Sequence, residues 1–345
     1  MTKWLSAYHE DNIILAAQII RSGGLVAFPT ETVYGLGANA LDKIAVAKIF
    51  EVKGRPQFDP LIVHISKKED IFLYAEDVSE DAKRLVDTFW PGPLTVVLKK
   101  KDNIPSIVTA GLPTVAIRMP NNVFALKLIE YSGVPIAAPS ANPFGYISPT
   151  SASQVVETLG KKIDCILDGG KCQFGLESTV IMIESGDVFL LRPGALEIEK
   201  IEKILNKSIK ICDNTNIILS PGQMDKHYSP TKNTILVYPV LKEENIDYQL
   251  TTEKLYQELE KIFRSFEDVF LILPSKDFKV GQNDFGVVDY LSDNFDLRVI
   301  ASNLFEKLYI ADKSDKRNIV VVGVLKVGLG ISIMNRLEKA STLKI

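Results

Sequence analysis

Leu25-Val26-Ala27-Phe28-Pro29-Thr30-Glu31-Thr32-Val33-Tyr34-Gly35-Leu36-Gly37 opens as a four-residue apolar run and then turns into Pro, Thr and Gly. The run fits a short buried strand, and the residues after it are too rich in Gly, Pro and Thr to continue it, so the passage reads as strand into loop. Upstream, Ile13, Ile14, Ala17 and Ile20 recur at helical spacing over 11–21, with Asp11 able to cap and Gly23 to terminate. Downstream, Asp42 stands ready to cap a helix over 42–52. Helix, strand, loop and helix in immediate succession is the signature of an α/β fold.

The alternation continues along the chain. Apolar runs predict strands at 61–65, 94–98, 114–118, 135–138, 165–167, 179–183 and 188–191, with helices at about 79–89, 123–131, 152–159 and 197–205. From 213 to 233 periodicity is lost and Asn, Ser, Pro and Gly gather, which marks a linker. Beyond it, strands at 235–238, 269–273 and 319–322 alternate with helices at 253–264, 297–309 and 332–339, the pattern of a small doubly wound sheet. The expected organisation is a domain over 1–212, a linker over 213–233 and a second domain over 234–345. Gly323, Gly328 and Gly330 lack the spacing of a dinucleotide fingerprint; ending a strand and opening a helix accounts for them.

Composition sets limits on function. With 345 residues, 40 Lys plus Arg against 43 Asp plus Glu, and a net charge of −3, the chain has no global positive field to attract nucleic acid or an acidic membrane. Cys165, Cys172 and Cys212 are neither closely paired nor combined with histidines at zinc-ligand spacing, so they read as reduced and structural. Lys3, Glu10 and Asp11 interrupt the N-terminal apolar stretch, and no run approaches membrane-spanning length, which points to the cytoplasm.

Side chains suited to anions collect at predicted strand and helix ends. Lys53-Gly54-Arg55-Pro56 sets a cation on each side of a glycine, apt for phosphate or, equally, for complementing a helix C-terminus. Arg118 and Arg192 each close an apolar strand and precede a proline within two residues, so each cation is rigidly mounted. His64 lies in Leu61-Ile62-Val63-His64-Ile65 on the face of Ile62, as a core residue or a ligand. Pro139-Ser140-Ala141-Asn142 through Ser148-Pro149-Thr150 is a hydroxyl-rich loop at a strand end, with Ser151 or a neighbour capping the next helix, and Glu177-Ser178-Thr179 opens another strand. Four cations, many hydroxyls, one histidine and no evident nucleophile suggest an anionic ligand held by positioning.

Taken together with Pro60-Leu61, Pro91-Gly92-Pro93-Leu94-Thr95, Arg118-Met119-Pro120, Glu177-Ser178-Thr179-Val180 and Arg192-Pro193-Gly194, these motifs resemble the two-domain threonylcarbamoyl-AMP synthases, whose first domain is of the YrdC type. Ser220-Pro221-Gly222 and His227-Tyr228-Ser229-Pro230 resemble the linker of the longer members. The resemblance implies a YrdC-like twisted mixed sheet enclosing a deep positive cavity and an appended Rossmann-like domain. Pro221, His227, Tyr228 and Pro230 within ten residues stiffen and anchor the linker beyond what a spacer needs, which predicts that it crosses the cavity mouth and closes over ATP. It implies synthesis of L-threonylcarbamoyl-AMP from L-threonine, bicarbonate and ATP, with Mg²⁺ accompanying the nucleotide and no metal held by side chains alone. The product would pass to the tRNA threonylcarbamoyl-transfer machinery, with at most weak RNA contact.

By matching position, Thr32, His64, Arg118, Ala138 and Ser178 would hold threonine. Lys53, Arg55, Asp59, Thr114, Ser140, Asn142, Ser148, Arg192 and Tyr228 would contact ATP. Lys53, Arg55 and His64 would serve catalysis, His64 by orienting threonine or by helping its amine lose a proton. Two residues depart from the pattern. Asp59 stands where the family commonly has Asn, setting an anion against phosphate unless a metal or proton intervenes, and Phe144 replaces a small polar residue. Carbamoyltransferases that share the domain usually carry zinc-finger cysteines and an acylphosphatase-like domain, both missing here. A double-stranded-RNA-binding module would want a basic aromatic surface tract, which the sequence lacks.

Overall fold

The computed structural model describes residues 1–211, 227–281 and 283–345. The chain forms two compact units, Met1–Phe144 with Ser148–Met224, and Gly145–Ile147 with Asp225–Ile345. The linker expected over 213–233 and Cys212 lie largely outside the described residues, which resume at His227. Among the described residues no helix is long and apolar enough to cross a membrane.

The first unit is built on one mixed sheet. Its strands are β1 (Lys3–Ser6), β2 (Val26–Phe28), β3 (Gly35–Asn39), β4 (Ile62–His64), β5 (Leu94–Lys99), β6 (Thr114–Arg118), β7 (Ile136–Ala137), β8 (Cys165–Asp168), β9 (Thr179–Glu184), β10 (Asp187–Arg192) and β11 (Lys210–Ile211). They lie in the order β1-β8-β2-β3-β7-β4-β6-β5-β9-β10-β11, so most neighbours are distant in sequence. Parallel pairs such as β4 with β6 and β5 with β9 alternate with antiparallel ones such as β5 with β6 and β9 with β10.

Alternation along these strands decides where polar groups go. Val63, Val96, Ile117 and Ile181 enter the main core, while Ile62, Val97, Ala116, Val180 and Leu191 cluster on the opposite face. Side chains of a strand repeat with period two, so His64, Arg118 and Ser178 share the face of Ile62, Ala116 and Val180. Each fully buried aliphatic side chain contributes roughly 1.5–3 kcal/mol, enough in aggregate to hold several costly buried charges on that face.

Local chemistry accounts for the helices. Asp42 caps Lys43–Lys53 by accepting from the amides of Ile44 and Ala45, Ser79 caps Glu80–Phe89 through Ala82, and Asn122 caps Val123–Ser132 through Phe124 and Ala125. Asp11 does not cap: the first helix runs Glu10–Arg21 behind His9, and Asp11 sits in its first turn, where its charge still complements the dipole. Ser151 precedes Ala152–Leu159 without a side-chain cap bond; Gln154 accepts from the Thr150 amide instead, at 2.7 Å.

The segment after β2 departs from the strand-into-loop expectation. The chain leaves β2, turns within Pro29–Tyr34 and re-enters the sheet as β3, antiparallel to β2, with Val26 opposite Gly37 and Phe28 opposite Gly35. Glycine there does not signal loop. A Cβ on Gly37 would stand 2.8 Å from both the Phe28 ring and Ile136 Cγ2, so glycine is what lets the strand pass beneath the aromatic ring.

The second unit carries a five-stranded, all-parallel sheet in the order Phe285–Ser292, Phe266–Ser275, Asn318–Val322, Asn233–Val237, Leu343–Lys344. Ile235, Val237, Leu271, Leu273, Val320 and Val322 form its core with Leu255 and Leu259 of the helix Tyr248–Glu260. Helices Leu297–Lys313 and Leu329–Ala340 complete the unit, the latter opening after Gly328. Gly330 lies inside that helix against the Leu325 carbonyl, which accounts for the glycine by close packing.

Candidate functional site

The turn between β2 and β3 is organised by one hydroxyl. Thr30 Oγ1 donates to the Val33 carbonyl at 2.7 Å and receives the amides of Thr32 and Val33. With its only proton committed, Thr30 accepts from Thr32 Oγ1 at 2.8 Å, and Thr32 in turn accepts from Arg118 Nη2 at 2.9 Å. Backbone bonds tie the turn to the other motif loops: the Tyr34 amide donates to Pro149, the Ala141 amide to the Tyr34 carbonyl, and the Phe174 amide to the Glu31 carbonyl. Tyr34, fully buried, donates its hydroxyl to the Gly170 carbonyl at 2.7 Å.

Around Arg118 lies a buried polar cluster. Arg118 closes β6 opposite His64 of β4, and its Nη2 is 2.8 Å from Glu31 Oε1. Glu31 is 2% exposed, His64 3% and Arg118 4%. Both Glu31 carboxylate oxygens, Arg118 Nε and His64 Nδ1 have no hydrogen-bond partner among the described residues. Burial, and then the Arg118 charge, push the His64 imidazole down to about 3, so it is neutral at ordinary pH. The face of the sheet is therefore interrupted by unsatisfied groups that a small polar ligand would complete.

A second cluster stands on Lys53–Asp59. The Lys53 ammonium donates to the carbonyls of Ser140, at 2.6 Å, and Asn142, binding the helix end to the serine-rich loop. Burial and the neighbouring Arg55 guanidinium push the Lys53 pKa well down, with Asp59 opposing. Arg55 does not stand open as a bare cation. Its Nη2 lies 2.8 Å from Asp59 Oδ1, Nε donates to the Asp59 carbonyl and Nη2 to the Pro60 carbonyl, while the Phe144 ring lies 5.9 Å from the guanidinium carbon. Asp59, fully buried, is thus the counter-ion of Arg55, which accounts for an anion among these cations.

A third group links β9 and β10. A bulge between Leu190 and Arg192 sets Arg192 opposite Val180, and the guanidinium donates to the Ser178 carbonyl at 2.9 Å and to Ser178 Oγ at 3.1 Å. Ser178 Oγ also bonds Thr95 Oγ1 at 2.7 Å, and Ser148 donates to Glu177 Oε1 at 2.6 Å. Four buried cations, Lys53, Arg55, Arg118 and Arg192, thus stand in these clusters with three buried carboxylates, Glu31, Asp59 and Glu177.

The family described as "Telomere recombination" matches residues 18–194, and "Threonylcarbamoyl-AMP synthase, C-terminal domain" matches 196–342. The threonylcarbamoyl-AMP synthase of Pyrococcus abyssi is 44% identical over 344 residues, spanning 97% of this chain and 96% of that protein. The chain belongs to the threonylcarbamoyl-AMP synthase family. The Bacillus subtilis threonylcarbamoyl-AMP synthase is 39% identical, covering 96% of this chain and 94% of that protein. The crystal structure of P. abyssi Sua5 complexed with L-threonine superposes with a TM-score of 0.88 at 42% identity, covering 100% of this chain and 99% of that one.

Not every position matched to the threonylcarbamoyl-AMP synthases joins these clusters. Thr114 opens β6 beside Lys99, four residues before Arg118, roughly 13 Å away along a strand. Ala138 is buried and donates its amide to the Ile62 carbonyl. Tyr228 belongs to the second unit, with a φ of 61°. There its ring stacks on Phe305 at 5.5 Å, with the fully buried Arg336 guanidinium 4.9 Å from its centroid. Sequence reasoning gives no role to Glu31, Thr30, Thr95 or Glu177, although each lies inside one of the motifs. The signal available there is a polar residue wedged between residues already chosen as ligands.

Proposed function

We propose that this chain forms L-threonylcarbamoyl-AMP from L-threonine, bicarbonate and ATP, releasing pyrophosphate, in the cytoplasm and for threonylcarbamoyladenosine modification of tRNA. The observation that carries this reading is the buried Arg118 guanidinium, with Nε unsatisfied, beside Thr32 and the neutral His64. Such a site suits a small carboxylate that also bears a hydroxyl. Membership of the family and the threonine-bound relative support threonine as that ligand.

The chemistry asks little covalent work of the protein. Threonine's amine and bicarbonate condense to a carbamate with loss of water. A carbamate oxygen then donates an electron pair to the α-phosphorus, the bond to the β-phosphate bridge breaks, and its electron pair leaves with pyrophosphate. What the site supplies is alignment and charge. Arg118 would take the amino acid's carboxylate, and Arg55 and Arg192 the phosphates. Lys53, whose ammonium is committed to Ser140 and Asn142, would contribute its field and hold their loop in place. Mg²⁺ would enter on the nucleotide's own oxygens. Glu31 and Asp59 face arginines, and among the described residues no group of three or more His, Cys, Asp or Glu side chains could hold an ion, so no step is assigned to it.

Incubation of the pure protein with ATP, labelled bicarbonate and each amino acid tests the reading by the adenylate formed. Threonine should lead, with serine slower because one methyl is worth about 1–3 kcal/mol in a pocket. Adenylate formation that ignored the amino acid supplied would refute it.

A further inference from the structure

We infer that Glu31 receives the substrate's α-ammonium group and, with Arg118, forms a clamp for a zwitterion; the inference rests on the proposed use of an amino acid. Glu31 is held within the β2–β3 turn, its carbonyl accepting from Phe174 and its carboxylate facing Arg118 at 2.8 Å. Yet neither carboxylate oxygen makes a hydrogen bond of acceptable geometry, and Arg118 Nε makes none. A carboxylate stripped of water normally collects several donors, because each unsatisfied lone pair in a low-dielectric interior is costly. A buried ion pair left unfinished on both partners is poor as a structural device and apt as half of a binding site.

The missing halves define the ligand. Arg118 Nε lacks an acceptor, the Glu31 oxygens have only the ion pair with Arg118 and no hydrogen-bond donor, and the two side chains stand side by side. A molecule carrying an anionic acceptor and a cationic donor two bonds apart, as every α-amino acid does, fills both deficits at once. His64 Nδ1, also without a partner and opposite Arg118 in the strand register, is left for the third polar group, a hydroxyl. Arg118 and Thr32 alone would accept any hydroxy acid, whereas Glu31 restricts the site to acids that carry an amine. That amine is the atom that must become the carbamate nitrogen.

Calorimetric titration of the full chain with L-threonine and with 3-hydroxybutyrate, which lacks the amine, tests this. The wild type should bind threonine tighter by about ten-fold or more, since a hydrogen bond to a charged group is at stake. Glu31→Gln should weaken threonine by a similar factor and leave 3-hydroxybutyrate within about two-fold of its wild-type affinity, erasing the discrimination. Equal losses for both ligands would show that Glu31 acts only by holding Arg118, and would overturn the inference. So would undiminished threonine binding by the variant. Should Glu31→Gln fail to fold, the wild-type comparison decides, equal affinity for the two ligands being the overturning result. Failure of the wild type to bind threonine at all would instead overturn the proposed function, and this inference with it.

Discussion

Asp59→Asn should make the protein less stable and its nucleotide affinity higher. Asp59 is fully buried, its Oδ1 2.8 Å from Arg55 Nη2. With charge centres roughly 4 Å apart, an effective dielectric of about 20 gives an attraction of about 4 kcal/mol. Asparagine fills the same space and keeps a carbonyl dipole but no charge, leaving on the order of 1.5–3 kcal/mol of guanidinium charge uncompensated. Without ligand that deficit is a loss of stability. For a unit of this size about 2 kcal/mol corresponds to a midpoint lower by about 4–8 °C. With ligand, the triphosphate supplies the missing counter-charge, so binding should tighten by about ten- to hundred-fold at low salt. Thermal unfolding of the apo protein and calorimetric titration with ATP, on the same preparations, measure the two effects. A variant that melts lower and also binds ATP more weakly would refute the reasoning, because Asp59 would then be holding Arg55 in its phosphate-binding pose.

Arg118→Ala should cost threonine binding on the order of 2–5 kcal/mol and spare ATP, and Arg192→Ala the reverse, as titration of each variant with each ligand would show. Lys53→Met removes the donor shared by the Ser140 and Asn142 carbonyls, so urea unfolding without nucleotide should show a loss of about 2–4 kcal/mol. His64 titrates near 6.5 when unfolded and at about 3 when folded, so between those values the unfolded chain binds the extra proton and stability falls as pH falls. His64→Gln should therefore lose less stability than the wild type across that window, by on the order of 1–3 kcal/mol, and parallel pH profiles would contradict this.

The strands legible in the sequence are those whose apolar residues run together. Leu94–Lys99, Thr114–Arg118 and Thr179–Glu184 lie deep in the sheet and have no need of polar alternation. Gly35–Asn39 is hidden because its glycines answer to the Phe28 ring across the strand pair, a packing demand that residue type and periodicity do not show even though all three residues are close in sequence. Phe285–Ser292 escapes the same reading for the opposite reason: it edges its sheet, and Asp289 and Tyr290 break its apolar run. At the site, a search for groups that bind anions finds the cations and passes over the carboxylates among them. Arg118 is 86 residues from Thr32 in the chain, and only the parallel register of β4 and β6 makes it a neighbour of His64. Asp59 faces Arg55 across four residues, a spacing that becomes legible once charge balance is asked of the loop.

The order of strands in the first sheet also governs when the protein can begin to work. β8 lies between β1 and β2, so Val26 waits for Cys165 before its side of the ladder closes. At ribosomal speeds of about 5–20 residues per second, that interval lasts roughly 7–28 s, during which the N-terminal strands have an unfilled edge. Arg192 emerges later still. The Glu31 carboxylate is therefore synthesised well before Arg118 can neutralise it, whereas Arg55 and Asp59 emerge together. Metabolites present during synthesis can stabilise only a chain already past this point, and the exposed early strands are where a chaperone would be needed.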